Sequence, residues 1–146
     1  MGGKGFTQRN AKKRIRKERR GMTENEISYK IIGAAIELHK QLGAGLLESA
    51  YENSLAYDLR ELGLFVEQQI PMPFIYKEVK LECGYRLDLR VGGKVIVEIK
   101  SVETLAPVHF AQTLTYLKLS ELKLALLNNF NTVILKDGIN RIVNNL

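Results

Sequence analysis

Two carboxylates and a lysine stand close together near the middle of the chain, at Asp88, Glu98 and Lys100. Two carboxylates about 4 Å apart repel each other by roughly 4 kcal/mol at an effective dielectric constant of about 20. Such a pair is tolerated where a cation lies between the acids, and Mg²⁺ binds one or two carboxylates while it keeps several waters. Lys100 is the other cation that could balance them. The three residues therefore predict either a divalent metal site or a structural network of acids and a lysine.

These residues lie on two predicted strands, one on each side of Gly92-Gly93. Apolar and polar residues alternate along both arms, which is typical of half-buried strands. A two-residue turn would pair Val91 with Lys94 and mix charged with apolar side chains, so the alternation predicts a loop with an odd number of residues. The apolar face then comprises Leu87, Leu89, Val91, Val95, Val97 and Ile99. The opposite face collects Arg86, Asp88, Arg90, Ile96, Glu98 and Lys100.

The chain resembles the PD-(D/E)XK nuclease superfamily, which has the restriction-endonuclease-like fold. Asp88, nine intervening residues and then Glu98-Ile99-Lys100 resemble its D…(E)xK core. Residues 45–51, GLLESAY, look like the motif of the GxxExxY family, a compact branch of that superfamily. Leu87 stands where the superfamily name has proline, but the carboxylates would hold a metal and the proline would not. The resemblance covers residues 23 to about 144.

The resemblance implies an α/β fold with an αβββαβ core, in which helices flank both faces of a mixed central β-sheet. It also implies metal-dependent hydrolysis of phosphodiester bonds, with DNA expected ahead of RNA because the superfamily acts on DNA. Mg²⁺ is the implied cofactor, and Mn²⁺ is the expected substitute. The implied partner is therefore a nucleic acid.

The same resemblance implies which residues form the site. The catalytic set is Glu48, Asp88, Glu98, Lys100, Gln112 and Tyr116. The metal ligands are Glu48, Asp88, Glu98 and the backbone carbonyl of Ile99. Without the resemblance, a glutamate in a first helical turn is explained by the helix dipole, and Gln112 with Tyr116 would be ordinary surface residues. Arg86 and Arg90 share the face of the acids and are expected to contact the nucleic-acid backbone.

The net charge of +6 is unevenly distributed along the chain. Residues 1–21 hold nine Lys or Arg and one acid, a net of +8, whereas the remainder holds 13 basic and 15 acidic residues, a net of −2. Few apolar residues and a block of like charge predict a disordered tail at 1–21, followed by one domain at 22–146. The tail is either a phosphate-binding arm or an upstream extension without a binding role. An arm would bind through residues such as Lys12, Lys13, Arg14 and Arg16.

The single cysteine, Cys83, has no intrachain partner, which fits a reducing cytoplasm, and its small side chain favours packing in a strand. No apolar run reaches the roughly 18 residues of a membrane span, and no signal peptide is recognised. We therefore expect a cytoplasmic protein without membrane contact. His39 lies near an apolar helical stripe and is expected to be packed or hydrogen-bonded rather than part of the site.

Three helices are predicted. Thr23 and Glu26 form a capping box for the first, whose apolar stripe continues to Leu42. The second runs from about Leu46 to Leu62, and the third opens at Pro107. The third helix is expected to bury Phe110, Ala111, Leu114 and Leu117.

Besides the hairpin, the sequence predicts a strand at 64–70 that Pro71 and Pro73 interrupt. A short extended pair follows at 74–76 and 79–83. Asn128-Asn129 is expected to form a turn. Further strands are predicted at 123–127, 132–136 and 139–143.

A second functional interpretation stays open at this point. A non-catalytic nucleic-acid-binding or protein-interaction module on the same fold would fit the basic tail and the small, mildly acidic domain. Binding that persists in a chelator and needs residues 1–21 would favour that module. One active site cuts one strand, so cleavage of both strands of a duplex would favour a homodimer.

Overall fold

The computed structural model describes residues 21–146, so residues 1–20 of the predicted tail, with its basic residues, lie outside the described part. The helices described there are α1 (Glu24–Leu42), α2 (Glu48–Glu61) and α3 (Pro107–Ser120). The strands are β1 (Val66–Tyr76), β2 (Val79–Val91), β3 (Val95–Lys100), β4 (Leu124–Asn129) and β5 (Ile139–Val143), with a short 3-10 helix at Leu135–Gly138. No helix in this described range is long and apolar enough to cross a membrane.

The five strands form one mixed sheet in the order β1-β2-β3-β4-β5. Strands β3 and β4 are parallel and connected through α3, whereas the other neighbours are antiparallel. One face of the sheet packs against α1 and α2 and the other against α3. The predicted fold class, a mixed sheet with helices on both faces, is confirmed.

The hairpin between β2 and β3 has the predicted odd loop. Val91 pairs with Val95 and Leu89 with Val97, so the loop has the three residues Gly92 to Lys94. Gly92 and Gly93 have φ of 62° and 68°, a left-handed conformation that glycine adopts without steric cost. A Cβ on Gly92 would also lie 2.8 Å from Ile27 Cδ1 of α1. The turn therefore requires glycine for its conformation, whereas the contact with the flexible end of Ile27 could be relieved by a small shift of that side chain.

The predicted capping box of α1 is present. The Glu26 N–H donates to Thr23 Oγ1 at 3.2 Å, and the Thr23 N–H donates to Glu26 Oε1 at 3.1 Å. The helix buries Ile31 and Ala35 completely, and burial of a side chain as large as Ile31 contributes about 1.5–3 kcal/mol. This apolar stripe fixes α1 against the sheet.

His39, near the end of the α1 stripe, is buried, and its Nε2 lies 3.0 Å from the carbonyl oxygen of Phe130, to which it donates. Its predicted structural role is confirmed.

Helix α3 begins at Pro107 as predicted, but its buried face differs from the prediction. Phe110 and Ala111 are exposed, and Leu114 is partly buried. The buried residues of α3 are Thr113, Tyr116 and Leu117. The rotation of the helix about its axis follows from its contact with the sheet, which the helical pattern alone does not determine.

Strand β1 continues through Pro71 and Pro73, so the predicted interruption is wrong. It is the outermost strand and pairs only with β2 among the described strands. Because an edge strand leaves one side of its backbone without partners, a missing N–H is tolerated there. The pairing register shifts between Met72 and Phe74, around Pro73. The predicted extended pair is present, with Tyr76 opposite Val79, and it continues β1 and β2.

Two predictions near the C-terminus are also corrected. Asn128 and Asn129 belong to β4 and do not form a turn. Residues 132–136 form no strand, and the 3-10 helix Leu135–Gly138 precedes β5 instead. The Asn129 side chain accepts from the N–H groups of Val102 and Asn131. It thus takes over backbone hydrogen bonds where β4 ends.

Beyond the β3 ladder, β1 and β2 continue as a two-stranded ribbon, defined here as residues 72–85. Exposed apolar residues such as Ile75 and Val79 lie on this ribbon. Cys83 is exposed there, so its predicted packing is wrong. Leu87, at the base of the ribbon, packs on the α3 face and not with Leu89 as predicted. This change of face coincides with Gln69, whose φ of 51° interrupts regular strand geometry next to Asp88.

Candidate functional site

Asp88 and Glu98 lie where β2 and β3 separate. Leu89 and Val97 form the last pair of the ladder, and continuation of the same register places Asp88 opposite Glu98. The Ile99 N–H donates to Asp88 Oδ2 at 2.8 Å, so a side chain takes the hydrogen bond that the β2 backbone would otherwise accept. The two predicted acids are therefore together, at a fork in the sheet.

Glu98 is a carboxyl group with little hydration. Its side chain is 5% exposed, and Oε1 has no hydrogen-bond partner among residues 21–146. Burial, with a further contribution from the Asp88 charge, raises the pKa of Glu98 to about 9, and Lys100 acts in the opposite direction. The buried oxygen without a hydrogen-bond partner lies beside a second carboxylate. Two such groups are suitable ligands for a divalent cation.

Lys100 follows two residues after Glu98 on β3 and is half-buried. Its charge lowers the pKa of Glu98, so it shares the surroundings of the acids. In the described part of the chain, however, Lys100 forms no ion pair within 4.0 Å. The structural network predicted as an alternative is not observed.

The backbone of Ile99 is turned toward the fork. Its neighbour Lys100 accepts through its carbonyl from the Phe130 N–H at 2.8 Å, on the β4 side. The N–H and C=O of one strand residue point to the same neighbouring strand, and successive residues alternate. Because the Ile99 N–H donates to Asp88, the Ile99 carbonyl also points toward the β2 side.

Helix α2 carries an acid that was not predicted and that is linked to Asp88 through Gln69. Glu48 is exposed, and residues 21–146 contain no group of three His, Cys, Asp or Glu side chains arranged to hold a metal. The buried acid is Glu52, whose carboxylate accepts from Gln68 Nε2 at 2.9 Å and from Gln69 Nε2 at 2.5 Å. Gln69 Nε2 also lies 3.4 Å from Asp88 Oδ1. Sequence reasoning missed this link, although Glu52 lies one helical turn after Glu48, beside the buried Tyr51.

The tyrosine of the GxxExxY-like segment anchors the loop before α2. The Tyr51 hydroxyl donates to the Gly43 carbonyl at 2.6 Å and accepts from the Leu46 N–H at 3.2 Å. Its ring stacks on Phe130 with centroids 4.5 Å apart. Ser101 Oγ, directly after β3, donates to the Leu46 carbonyl at 2.7 Å. These bonds attach the start of α2, which carries Glu48, to the end of the strand that carries Glu98 and Lys100.

Gln112 and Tyr116 reach the same region from α3. Burial, and then the charge of Glu98, raise the pKa of Tyr116 to about 12, with smaller contributions from Tyr85 and Asp88, while Gln112 lowers it. Tyr116 is therefore a neutral hydroxyl near the acids. Both residues also line a cavity between α3 and the ribbon.

The two predicted arginines differ in their contacts. Arg90 forms two hydrogen bonds with Glu67, at 2.7 and 2.8 Å, and this pairing raises the pKa of Arg90 and lowers that of Glu67. Arg86 is exposed and donates to the Gln69 carbonyl at 3.2 Å. Arg86 is thus the more accessible of the two for a phosphate.

A family model described as the PD-(D/E)XK nuclease superfamily matches residues 25–142. The chain therefore belongs to the PD-(D/E)XK nuclease superfamily. Its members are generally nucleases that use divalent metals, so a nuclease-like function and a nucleic-acid substrate follow at that level. No curated protein and no solved structure matches the chain.

Proposed function

We propose that this protein is a Mg²⁺-dependent nuclease that hydrolyses phosphodiester bonds in DNA, and that it belongs to the GxxExxY branch of its superfamily. The carrying observation is the pair Asp88 and Glu98 at the sheet fork, in which Glu98 Oε1 is buried without a partner among the described residues. Lys100 lies close enough to lower the pKa of Glu98. This combination fits hydrolysis better than it fits a structural ion pair.

The residues that would hold the metal are Asp88, Glu98 and the Ile99 carbonyl. We propose Glu48 as a third acid, supported by the Ser101 bond to Leu46 that links the start of α2 to the end of β3. Its exposed side chain would have to turn toward the fork, because among residues 21–146 it does not form a group with the two acids in the structure. When bound, Mg²⁺ would make an attacking water more acidic and neutralise charge that develops on the phosphate. Asp88 is already oriented by the Ile99 N–H.

The other side chains would act on the phosphate and on water. Lys100 would stabilise the negative charge of the transition state, since a fixed cation is most effective in a site with little water. Tyr116 would stay protonated and donate a hydrogen bond to a phosphate oxygen, and Gln112 would orient it or a water. Arg86 would contact the nucleic-acid backbone.

A calorimetric Mn²⁺ titration tests the metal site without assuming a substrate. We expect saturable binding to the full chain at up to millimolar metal, and its loss in Glu98→Gln. Glu103→Gln is the matched control, because it removes an exposed carboxylate that is not one of the proposed ligands. Equal heats of Mn²⁺ binding for wild type and Glu98→Gln would contradict the proposed metal site.

A cleavage assay then separates the nuclease from a non-catalytic binding module. Plasmid and oligonucleotide DNA should be cut with Mg²⁺ or Mn²⁺ and not with EDTA, and Glu98→Gln should be inactive. Binding without cleavage in any metal would favour the module, for which the +8 charge of residues 1–21 is the supporting observation. RNA of the same sequence tests the choice of DNA.

The proposal also includes a possible homodimer and a cytoplasmic location. Cleavage of both strands of a duplex would call for a homodimer with two sites. A reducing cytoplasm suits the exposed Cys83, which is the only cysteine of the chain.

A further inference from the structure

A cavity of about 280 Å³ opens between the ribbon and α3. Three aromatic rings line it, from Phe74, Tyr85 and Tyr116, together with the amide of Gln112. None of the described residues in its walls is charged. Its volume is near the lower end of the range for small-ligand sites. The cavity therefore suits a flat, uncharged group with a polar edge better than it suits a phosphate.

The aromatic rings offer free faces to such a group. Tyr85 is 43% exposed and Phe74 is 37% exposed. Tyr85 contacts Tyr116 edge to face, with centroids 6.2 Å apart and planes at 63°. An edge-to-face pair leaves ring surface available for stacking by a third ring. Scattered exposed aromatics are common on proteins, but here they converge on one cavity.

Tyr116 connects the cavity with the acid pair. It belongs to the same buried cluster as Leu87 and Ile96. Leu87 directly precedes Asp88, and Ile96 lies two residues before Glu98 on β3. Residues two apart on a strand share a face. The cavity and Glu98 therefore lie on the same side of the sheet.

We propose that this cavity binds one unpaired nucleobase, so that the backbone attached to the base passes over Asp88 and Glu98. The assignment of that backbone phosphate as the one to be cut rests on the proposed function. Aromatic side chains stack on any base, and the Gln112 amide can both donate to and accept from a base edge. A base inside a duplex has both faces stacked and its edge paired, so it must leave the helix before it can enter. The substrate class is therefore a single strand, a flap or a frayed end.

Fluorescence anisotropy of the full chain in EDTA tests base binding without cleavage. The probes are a labelled single strand of about 16 nucleotides, its duplex, and an equally long strand whose residues are all abasic. The natural and abasic single strands carry the same number of phosphates, so the basic segment at residues 1–21 contributes equally to both. We expect the natural single strand to bind about 10-fold or more tightly than the abasic strand.

Three variants locate the effect. Tyr85→Ala should abolish the difference between the natural and abasic strands, whereas Tyr85→Phe, which keeps the ring, should retain it. Tyr57→Ala is the matched control, because Tyr57 is an exposed tyrosine of α2 and its loss should change nothing. Equal affinity for both strands in the wild type, or an undiminished difference in Tyr85→Ala, would overturn the proposal.

The outcome for the base site is distinguishable from the outcome for the nuclease. Metal-dependent cleavage of duplex and single strand at equal rates, unaffected by Tyr85→Ala, would support the nuclease function and contradict the base site. Base-dependent binding that Tyr85→Ala abolishes, without cleavage in any metal, would support the base site and contradict the nuclease function.

Discussion

At Glu98 the requirements of folding and of the proposed chemistry oppose each other. Its Oε1 is buried without a partner in the described part of the chain, and an unsatisfied buried polar group costs about 1–3 kcal/mol. Its raised pKa means that the folded metal-free protein holds a proton that the unfolded chain releases near pH 4.5. The same arrangement leaves an oxygen available for a cation.

The pH dependence of stability should reveal this proton. Between about pH 4.5 and about pH 9 the folded state keeps the Glu98 proton and the unfolded state does not. The free energy of unfolding therefore falls as pH rises through this window, by at most about 1.4 kcal/mol per unit. In metal-free urea denaturation, Glu98→Gln should be more stable than wild type by an amount that grows with pH. Glu103→Gln should show no such trend, and a constant difference for Glu98→Gln would contradict the raised pKa.

Lys100 should separate binding from turnover. Because Lys100 makes no ion pair within the described residues, Lys100→Ala should leave the fold and Mn²⁺ binding in place. Loss of a fixed cation beside the phosphate should lower the rate of the cleavage step by about 10²–10³-fold. Thermal denaturation, calorimetry and single-turnover cleavage measure the three properties, with Lys118→Ala, an exposed lysine of α3, as the control. A marked loss of stability in Lys100→Ala would instead indicate a structural role.

Single residues also show what the sequence could predict about the site. Asp88 and Glu98 were predictable because strand alternation fixes which side chains meet across a hairpin. The contact of Glu52 with β1 was not predictable. Glu48 and Glu52 both lie on α2, and the orientation of that helix depends on the burial of Tyr51, Leu55 and Leu59. Which glutamate contacts the sheet is a consequence of tertiary packing.

At the scale of elements, the loop between α1 and α2 is held by three hydrogen bonds from two side chains. Tyr51 bonds to Gly43 and Leu46, and Ser101 bonds to Leu46. Tyr51→Phe keeps the stacking on Phe130 but removes both hydroxyl bonds. We expect it to lower the free energy of unfolding by about 1–3 kcal/mol, because two hydrogen bonds of about 0.5–1.5 kcal/mol each are lost. Urea denaturation measures the loss, and Tyr57→Phe, at an exposed tyrosine, should be neutral.

A cleavage assay separates the local and global effects of Tyr51→Phe. If the loop positions the start of α2 near the end of β3, cleavage by Tyr51→Phe should fall even at temperatures where the protein stays folded. Full cleavage by folded Tyr51→Phe would show that the loop contributes to stability alone.

The elements differ in how far local sequence determines them. The parity of the β2–β3 loop followed from alternation and two glycines, which are local facts. The continuation of β1 through Pro71 and Pro73 did not, because proline is tolerated on an edge strand and edge position is a property of the whole sheet. The strand predicted at 132–136 failed for a related reason. Its apolar residues read as a strand, but Val133 and Ile134 are exposed and Leu135 enters the core from a 3-10 helix.

The whole molecule combines a well-packed sheet with a lightly supported ribbon. Every residue of β4 is buried, whereas most of the ribbon is exposed. Amide hydrogen exchange should therefore be slowest in β3 and β4 and at least about 10-fold faster in residues 74–81. Mass spectrometry of peptic peptides can compare the two regions. Equal protection would mean that the ribbon is covered in solution, for example by a second copy of the chain.

The position of the ribbon has a consequence for heat and affinity. One wall of the cavity, with Phe74 and Tyr85, belongs to the ribbon, and the other belongs to α3, which packs on the sheet. An occupant that contacts both walls must restrict the ribbon, and this restriction opposes binding through conformational entropy. Stacking must then supply a favourable enthalpy that exceeds this loss. Association with an unpaired strand should thus be exothermic and weaken on warming, while its electrostatic contribution changes little.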